Sequence, residues 1–146
     1  ERKTIVSNLK SENNKIDENK QKSIKDSIQS YAMSKAKEFY LSKGYTIYDV
    51  SMNHNYDLLC RKVDSSDIRV EVKSSLQEGT FIQLTKKEIN SALDKDSITD
   101  LFILHSIEIE EIDGINTPIN GEIDHYEDWQ PQLDKLVATH YNYEIY

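Results

Sequence analysis

Residues 56–74 read YDLLCRKVDSSDIRVEVKS, two apolar segments separated by a polar turn. The segments Tyr56 to Lys62 and Ile68 to Ser74 are rich in the aliphatic and aromatic residues that favour β-strands, and the Asp and Ser residues between them favour a turn. Residues two apart in a strand share a face, so Glu71 and Lys73 project together. We therefore predict a β-hairpin that carries a carboxylate and a lysine on one face.

The segments around this hairpin predict an α/β domain. Upstream, from Lys22, apolar residues recur at steps of three and four, which indicates an amphipathic helix of about twenty residues. Gly44 is placed to end that helix. The further predicted strands are Tyr45 to Ser51 before the hairpin and Thr80 to Leu84 after it.

The second half of the chain begins with a strong helix signal and then weakens. Thr85-Lys86-Lys87-Glu88 has the capping-box form and predicts a helix from about Lys86 to Leu93. The apolar run from Leu101 to Leu104 predicts a strand buried on both faces that extends through Ile107, Ile109 and Ile112. The weaker predictions are a turn at Asn120-Gly121, a short helix from about Pro131 to Ala138, and an edge strand at Tyr141-Asn142-Tyr143.

Length and composition indicate one globular domain with a polar extension. Of 146 residues, 37% are hydrophobic and no run approaches the roughly 18 apolar residues of a membrane span, so no membrane partner is expected. Residues 1–21 form a polar arm, either a linker or a loosely docked helix. Residues 22–146 form the domain, with a core at about 28–112 and a C-terminal extension.

The single cysteine and the first residue bear on the chain's context. Cys60 cannot form an internal disulfide or a cysteine-based zinc cluster, which fits a reducing compartment, and we expect a cytoplasmic protein. Because the chain begins with Glu1 rather than Met, we also expect it to belong to a longer polypeptide.

Three residues near the hairpin form a candidate metal site. If the strands pair, Asp57 joins Glu71 and Lys73. Two carboxylates, a backbone carbonyl and water suit Mg²⁺, with Mn²⁺ as the alternative, and leave positions for a phosphate oxygen and an attacking water. The lysine would orient or deprotonate that water, or neutralise charge in the transition state. The alternative is an ion-pair cluster on the sheet surface that has no catalytic or metal-binding role.

The order of these elements resembles the PD-(D/E)xK, or restriction-endonuclease-like, superfamily, and most closely the family named after the C-terminal part of the plant protein NO VEIN. The resemblance covers about residues 28 to 105. The matching segments are Tyr31-Ala32-Met33, Lys43-Gly44-Tyr45, Asp49-Val50-Ser51, Tyr56-Asp57-Leu58-Leu59, Val70-Glu71-Val72-Lys73-Ser74, Leu84-Thr85-Lys86-Lys87-Glu88 and Ala92.

The resemblance implies a mixed central sheet flanked by helices and a metal-dependent endonuclease that cleaves DNA. It also implies a setting beside helicase or ATPase modules in bacterial restriction or defence proteins. Asp57 and Glu71 would be the metal ligands and Lys73 the catalytic lysine. Gln29 stands where relatives often have an acidic residue, and its amide carbonyl would bind metal or water without adding charge.

Other residues are weaker candidates for substrate binding. Gln83 alternates with apolar neighbours, Lys86 and Lys87 start a helix, and His54 precedes Asp57. A solvated residue accounts as well for Gln83 and is the simpler account for Lys86 and Lys87, and a polar turn is the favoured account for His54.

Two further functions stay open beside the endonuclease. The net charge of −8 argues against broad adhesion to phosphate and favours a catalytically inactive nuclease fold that binds nucleic acid or a protein. A pure protein-interaction module would require an exposed apolar surface. The oligomeric state, including a homodimer, stays open as well.

Overall fold

The computed structural model describes residues 2–78 and 81–145, with side chains described from residue 14 onward. The elements are α1 Arg2–Ser42, β1 Thr46–Asp49, β2 Leu58–Arg61, β3 Ile68–Ser74, α2 Lys86–Ala92, β4 Ile98–His105, β5 Glu108–Ile112, β6 Ile115–Ile119, β7 Glu122–Tyr126 and a 3₁₀ helix Leu133–Lys135. The predicted α/β class, a mixed central sheet flanked by helices, is confirmed.

The central sheet has five strands in the order β1-β2-β3-β4-β7, and β5 pairs with β6 in a separate hairpin. The first three strands are antiparallel neighbours and include the predicted hairpin as β2 and β3, whereas β4 runs parallel to β3. The link from β3 to β4 contains α2, and a helix is the usual connection between parallel strands. The sheet therefore begins as a hairpin meander and continues as a parallel pair.

Helix α1 packs on one face of this sheet. Its buried residues Ala32, Ala36 and Tyr40 meet alternate residues of the strands, among them Val70 and Phe102. The helix ends as predicted at Gly44, whose φ of +86° a glycine adopts without strain. The amides of Gly44 and Tyr45 donate to the carbonyls of Leu41 and Tyr40, which is a Schellman motif.

The start of α1 differs from the prediction. The helix begins at Arg2 rather than near Lys22, because residues 2–42 contain neither Gly nor Pro to interrupt it. Of the two alternatives for the polar arm, the structure has a helix, and residues 14–23 are exposed along it. The arm thus continues the core helix.

A buried polar cluster joins β7 to α1 and β4. The Tyr40 hydroxyl donates to Asp100 Oδ2 at 2.8 Å, and His125 Nε2 lies 2.9 Å from the same oxygen. Asp100 Oδ1 accepts from the Asp128 amide. No sequence motif predicted this cluster. It lies where β7 pairs with β4, so part of the chain beyond residue 112 belongs to the central sheet.

Four predicted elements need correction. The segment 81–84 is not a strand, and Thr80 lies outside the described residues. The strand from Leu101 does not run to Ile112, because Ser106 adopts a φ of +53° and breaks it into β4 and β5. Instead of a helix at 131–138 only the 3₁₀ turn forms, and residues 141–143 form no strand. The turn at Asn120-Gly121 is confirmed, with φ positive at both residues.

Candidate active site

The candidate site lies where β3 continues past the end of β2. Leu58–Cys60 pairs with Ile68–Val70, but β4 pairs with β3 along its whole length to Ser74. Within the described part of the chain, β3 beyond Val70 therefore has a strand on one side only. A sheet edge opens there, next to the residues of the candidate site.

Asp57 immediately precedes Leu58 and lies beside β3, at the position that β2 would take if it were one residue longer at its start. Its amide donates to the Val70 carbonyl at 2.9 Å, and its Oδ2 accepts from the Val72 amide at 2.8 Å. The carboxylate thus substitutes for the missing strand partner. Because the N–H and C=O of one strand residue point to the same side, the Val72 carbonyl also lies on the side of β3 that carries Asp57.

Glu71 and Lys73 project from β3 on the face opposite α1, as their alternation with Val70 and Val72 predicts. Glu71 is only 4% exposed, and its Oε1 lies 2.9 Å from the Lys73 ammonium. The structure thus brings Asp57, Glu71 and Lys73 together at the open end of β3. The ion-pair alternative requires the same contact, but the pair is largely buried, with the Lys73 side chain 18% and the Glu71 side chain 6% exposed, unlike a surface ion pair.

Glu88 joins this group, although its sequence position predicted only a role in the capping box. Its Oε2 accepts from the Thr85 amide and from Lys73 Nζ, both at 2.9 Å, while its own amide donates to the Thr85 hydroxyl. The capping box is confirmed. The box fixes Glu88 at the start of α2, and the lysine is held between two carboxylates.

Burial and charge shift the pKa values of all three predicted residues. Burial raises the pKa of Glu71 from 4.5 to about 7, although the Lys73 charge opposes the rise. Burial likewise raises the pKa of Asp57, against the effect of the Val72 amide. Burial alone would lower the pKa of Lys73, but the attraction of Glu71 and Glu88 raises it above its ordinary value. Lys73 is therefore a cation at neutral pH.

The oxygen atoms at this edge are the donors that a hard divalent cation takes. Asp57 and Glu71 supply carboxylates, and the Val72 carbonyl lies on the same side of β3. Among the described residues no group of three or more Asp, Glu, His and Cys side chains is arranged to hold a metal ion, so water would complete the coordination. The donor set fits: two desolvated carboxylates with raised pKa values gain most from a cation beside them.

The other predicted residues lie at different distances from this group. Gln29 and Gln83 line a cleft of about 730 Å³ that Lys73 and Glu88 also line. Lys86 and Lys87 are exposed on the first turn of α2. The cleft therefore connects both glutamines to the lysine of the site, and their roles stay predictions.

His54 lies in the turn before β2. It is exposed, and its ring centroid is 5.3 Å from that of Tyr56. A role in substrate binding stays a prediction for this residue too.

The sequence model of the family described as "Protein NO VEIN, C-terminal" matches residues 28–110, more than half of the chain, and the chain belongs to that family. The match covers α1 from Ile28, the candidate site, and β4. No curated protein and no solved structure matches the chain. None of the described helices is both long and apolar enough to cross a membrane.

Proposed function

We propose that this protein is a Mg²⁺-dependent endonuclease of the PD-(D/E)xK superfamily that hydrolyses DNA phosphodiester bonds. The observation that carries the proposal is the convergence of Asp57, Glu71 and Lys73 at the part of β3 beyond Val70, where the described residues place a neighbouring strand on one side only. A site that must admit a phosphodiester needs such an opening. A purely structural ion pair does not.

In this proposal Asp57 and Glu71 hold the cation, together with the Val72 carbonyl and water. A bound cation would polarise the phosphodiester and favour ionisation of the attacking water. Mn²⁺ has similar ligand preferences and would serve as an alternative.

Lys73 stabilises negative charge in this mechanism and does not act as a base. Its pKa is raised, so it stays protonated, and its ammonium contacts both Glu71 and Glu88 at 2.9 Å. From there it neutralises charge that builds up on the phosphate oxygens as the attacking oxygen approaches. Proton removal from the water then falls to solvent or to a carboxylate. Glu88 positions the lysine without contacting the substrate.

The same contacts favour a second candidate function. Lys73 is already neutralised by two carboxylates, and the chain has a net charge of −8, so unspecific phosphate binding is weak. A catalytically inactive member of the fold that binds nucleic acid or a protein would keep this arrangement as an ion-pair network. A helicase or ATPase module in the same polypeptide or complex would supply DNA affinity in either case.

The test combines calorimetry of Mg²⁺ or Mn²⁺ binding with a plasmid-nicking assay. We expect wild type to bind metal and nick, Asp57→Ala to lose both, and Lys73→Met to keep metal binding and lose nicking. Glu110→Ala removes a carboxylate from the exposed strand β5 and is the matched control, expected to match wild type. If wild type neither binds metal nor nicks, the endonuclease proposal fails and the binding module replaces it.

A further inference from the structure

The cleft beside Lys73 has features that the metal site does not explain. It lies between the middle of α1 and the segment that links β3 to α2, and its volume is about 730 Å³. Ile28 and Val72 supply an apolar wall, and Lys73 belongs both to this cleft and to the candidate active site. Whatever lies in the cleft is therefore next to the group proposed to act on the phosphate.

Phe81 is the most unusual residue of the cleft. Its side chain is 86% exposed, although a phenylalanine gains most by burial. The ring has no aromatic partner within the described residues. Unlike a buried ring, it offers a free flat face at the rim of a cleft.

The polar groups of the cleft are mainly neutral. Lys73 and Glu88 pair with each other, and Gln29 and Gln83 contribute amides that both donate and accept hydrogen bonds. A phosphate would require several unpaired cations. Besides Lys73, which two carboxylates neutralise, Lys25 is the one cation among the described lining residues. The edge of a nucleobase presents donors and acceptors side by side and pairs well with amide side chains.

We propose that this cleft binds an unpaired nucleobase, stacked on Phe81 and hydrogen-bonded by Gln83 or Gln29, beside the scissile phosphate. The inference rests on the proposed function and narrows its substrate class to single-stranded or locally unpaired DNA. A paired base cannot present its flat face to Phe81, because its neighbours in the duplex cover that face. The acidic chain is compatible with such a ligand, since stacking depends less on charge than phosphate binding does.

The experiment measures fluorescence anisotropy of a labelled fifteen-nucleotide single strand and of its duplex, in EDTA and at low ionic strength. Wild type is expected to bind the single strand at least about tenfold more tightly than the duplex. Phe81→Leu keeps the apolar side chain and loses the ring, so its binding of the single strand is expected to fall about 5- to 150-fold, the range for one lost base stack. Phe81→Tyr keeps an aromatic ring at this position and is expected to bind like wild type.

Tyr143→Leu is the matched control, because Tyr143 is 89% exposed and lies outside the cleft. We expect it to bind like wild type, and all three variants to keep the wild-type unfolding midpoint. The proposal is overturned if wild type fails to bind the single strand, if the duplex binds as tightly, or if Phe81→Leu matches wild type.

These measurements distinguish failure of the nucleobase proposal from failure of the endonuclease proposal. Metal binding and nicking without any effect of Phe81→Leu on single-strand binding would keep the endonuclease and reject the nucleobase site. Binding that depends on Phe81 in a chain that neither binds metal nor nicks would do the reverse, and would favour the inactive nucleic-acid-binding module.

Discussion

Replacing Glu71 by glutamine is expected to stabilise the metal-free protein at pH 8. Burial raises the pKa of this carboxyl from 4.5 to about 7 in the folded state, so ionisation costs more in the folded chain than in the unfolded one. The difference corresponds to about 3 kcal/mol, at ~1.4 kcal/mol per pH unit. Glutamine resembles the protonated acid in shape and avoids this cost, and Lys73 keeps its contact with Glu88.

The gain in stability from Glu71→Gln depends on pH. Below pH 4.5 the carboxyl is protonated in both states and carries no penalty. Between pH 4.5 and 7 only the unfolded state ionises, so the folded wild type loses stability as the pH rises, and above pH 7 the loss is complete. The stabilisation by Glu71→Gln is therefore absent near pH 4.5 and full at pH 8.

Urea unfolding in EDTA, at pH 4.5 and pH 8, measures this difference. Glu110→Gln is the control, because that carboxylate is exposed on β5 and its replacement should change the free energy of unfolding little at either pH. The reasoning is refuted if Glu71→Gln is no more stable than wild type at pH 8, or if its gain is the same at both pH values. Either result would mean that Glu71 is not held desolvated beside Lys73.

Three further predictions concern residues that hold the candidate site and the sheet in place. Glu88→Ala and Thr85→Ala both break the capping box, at a cost of about 1 kcal/mol each, but only Glu88→Ala removes a partner of Lys73. We expect Glu88→Ala alone to lower kcat of nicking at unchanged KM, and equal rates in the two variants would contradict its positioning role. Tyr40→Phe leaves Asp100 without its buried hydroxyl donor, and urea unfolding should show that the free energy of unfolding falls by about 1–3 kcal/mol. A fall near zero would mean that this cluster does not stabilise the packing of β7. Gly121→Ala should destabilise more than Gly114→Ala, because its Cβ would meet Leu104 at 3.1 Å whereas Gly114 has open space around it; equal thermal midpoints would show that the turn yields.

The predictable parts of the fold depended on signals between residues close in sequence. The helix end at Gly44 and the capping box at Thr85 follow from backbone geometry within one turn, and both are confirmed. The alternation of Glu71 and Lys73 with two valines required only the two-residue period of a strand. The convergence of Asp57 on this pair followed once the hairpin was assumed.

The remaining features depend on contacts between distant segments. Residues 81–84 alternate between exposed and partly buried, as a strand does, but none of the described strands pairs with them. Asp100 and His125 pair across β4 and β7, and no local pattern connects them. The capping box alone explains a glutamate at position 88. The sequence therefore held no separate signal for its contact with Lys73.

The central claim, a cation held by Asp57 and Glu71, is tested most directly by counting the protons released when Mg²⁺ binds. Calorimetry at pH 7 in buffers of different ionisation enthalpy gives that number. Since the pKa of Glu71 is about 7, close to half of its population is protonated there, and binding should release about half a proton at pH 7 and almost none at pH 8.5. Asp57→Ala should abolish the binding. Metal binding without proton release at pH 7, or binding that survives Asp57→Ala, would place the cation elsewhere and contradict the account.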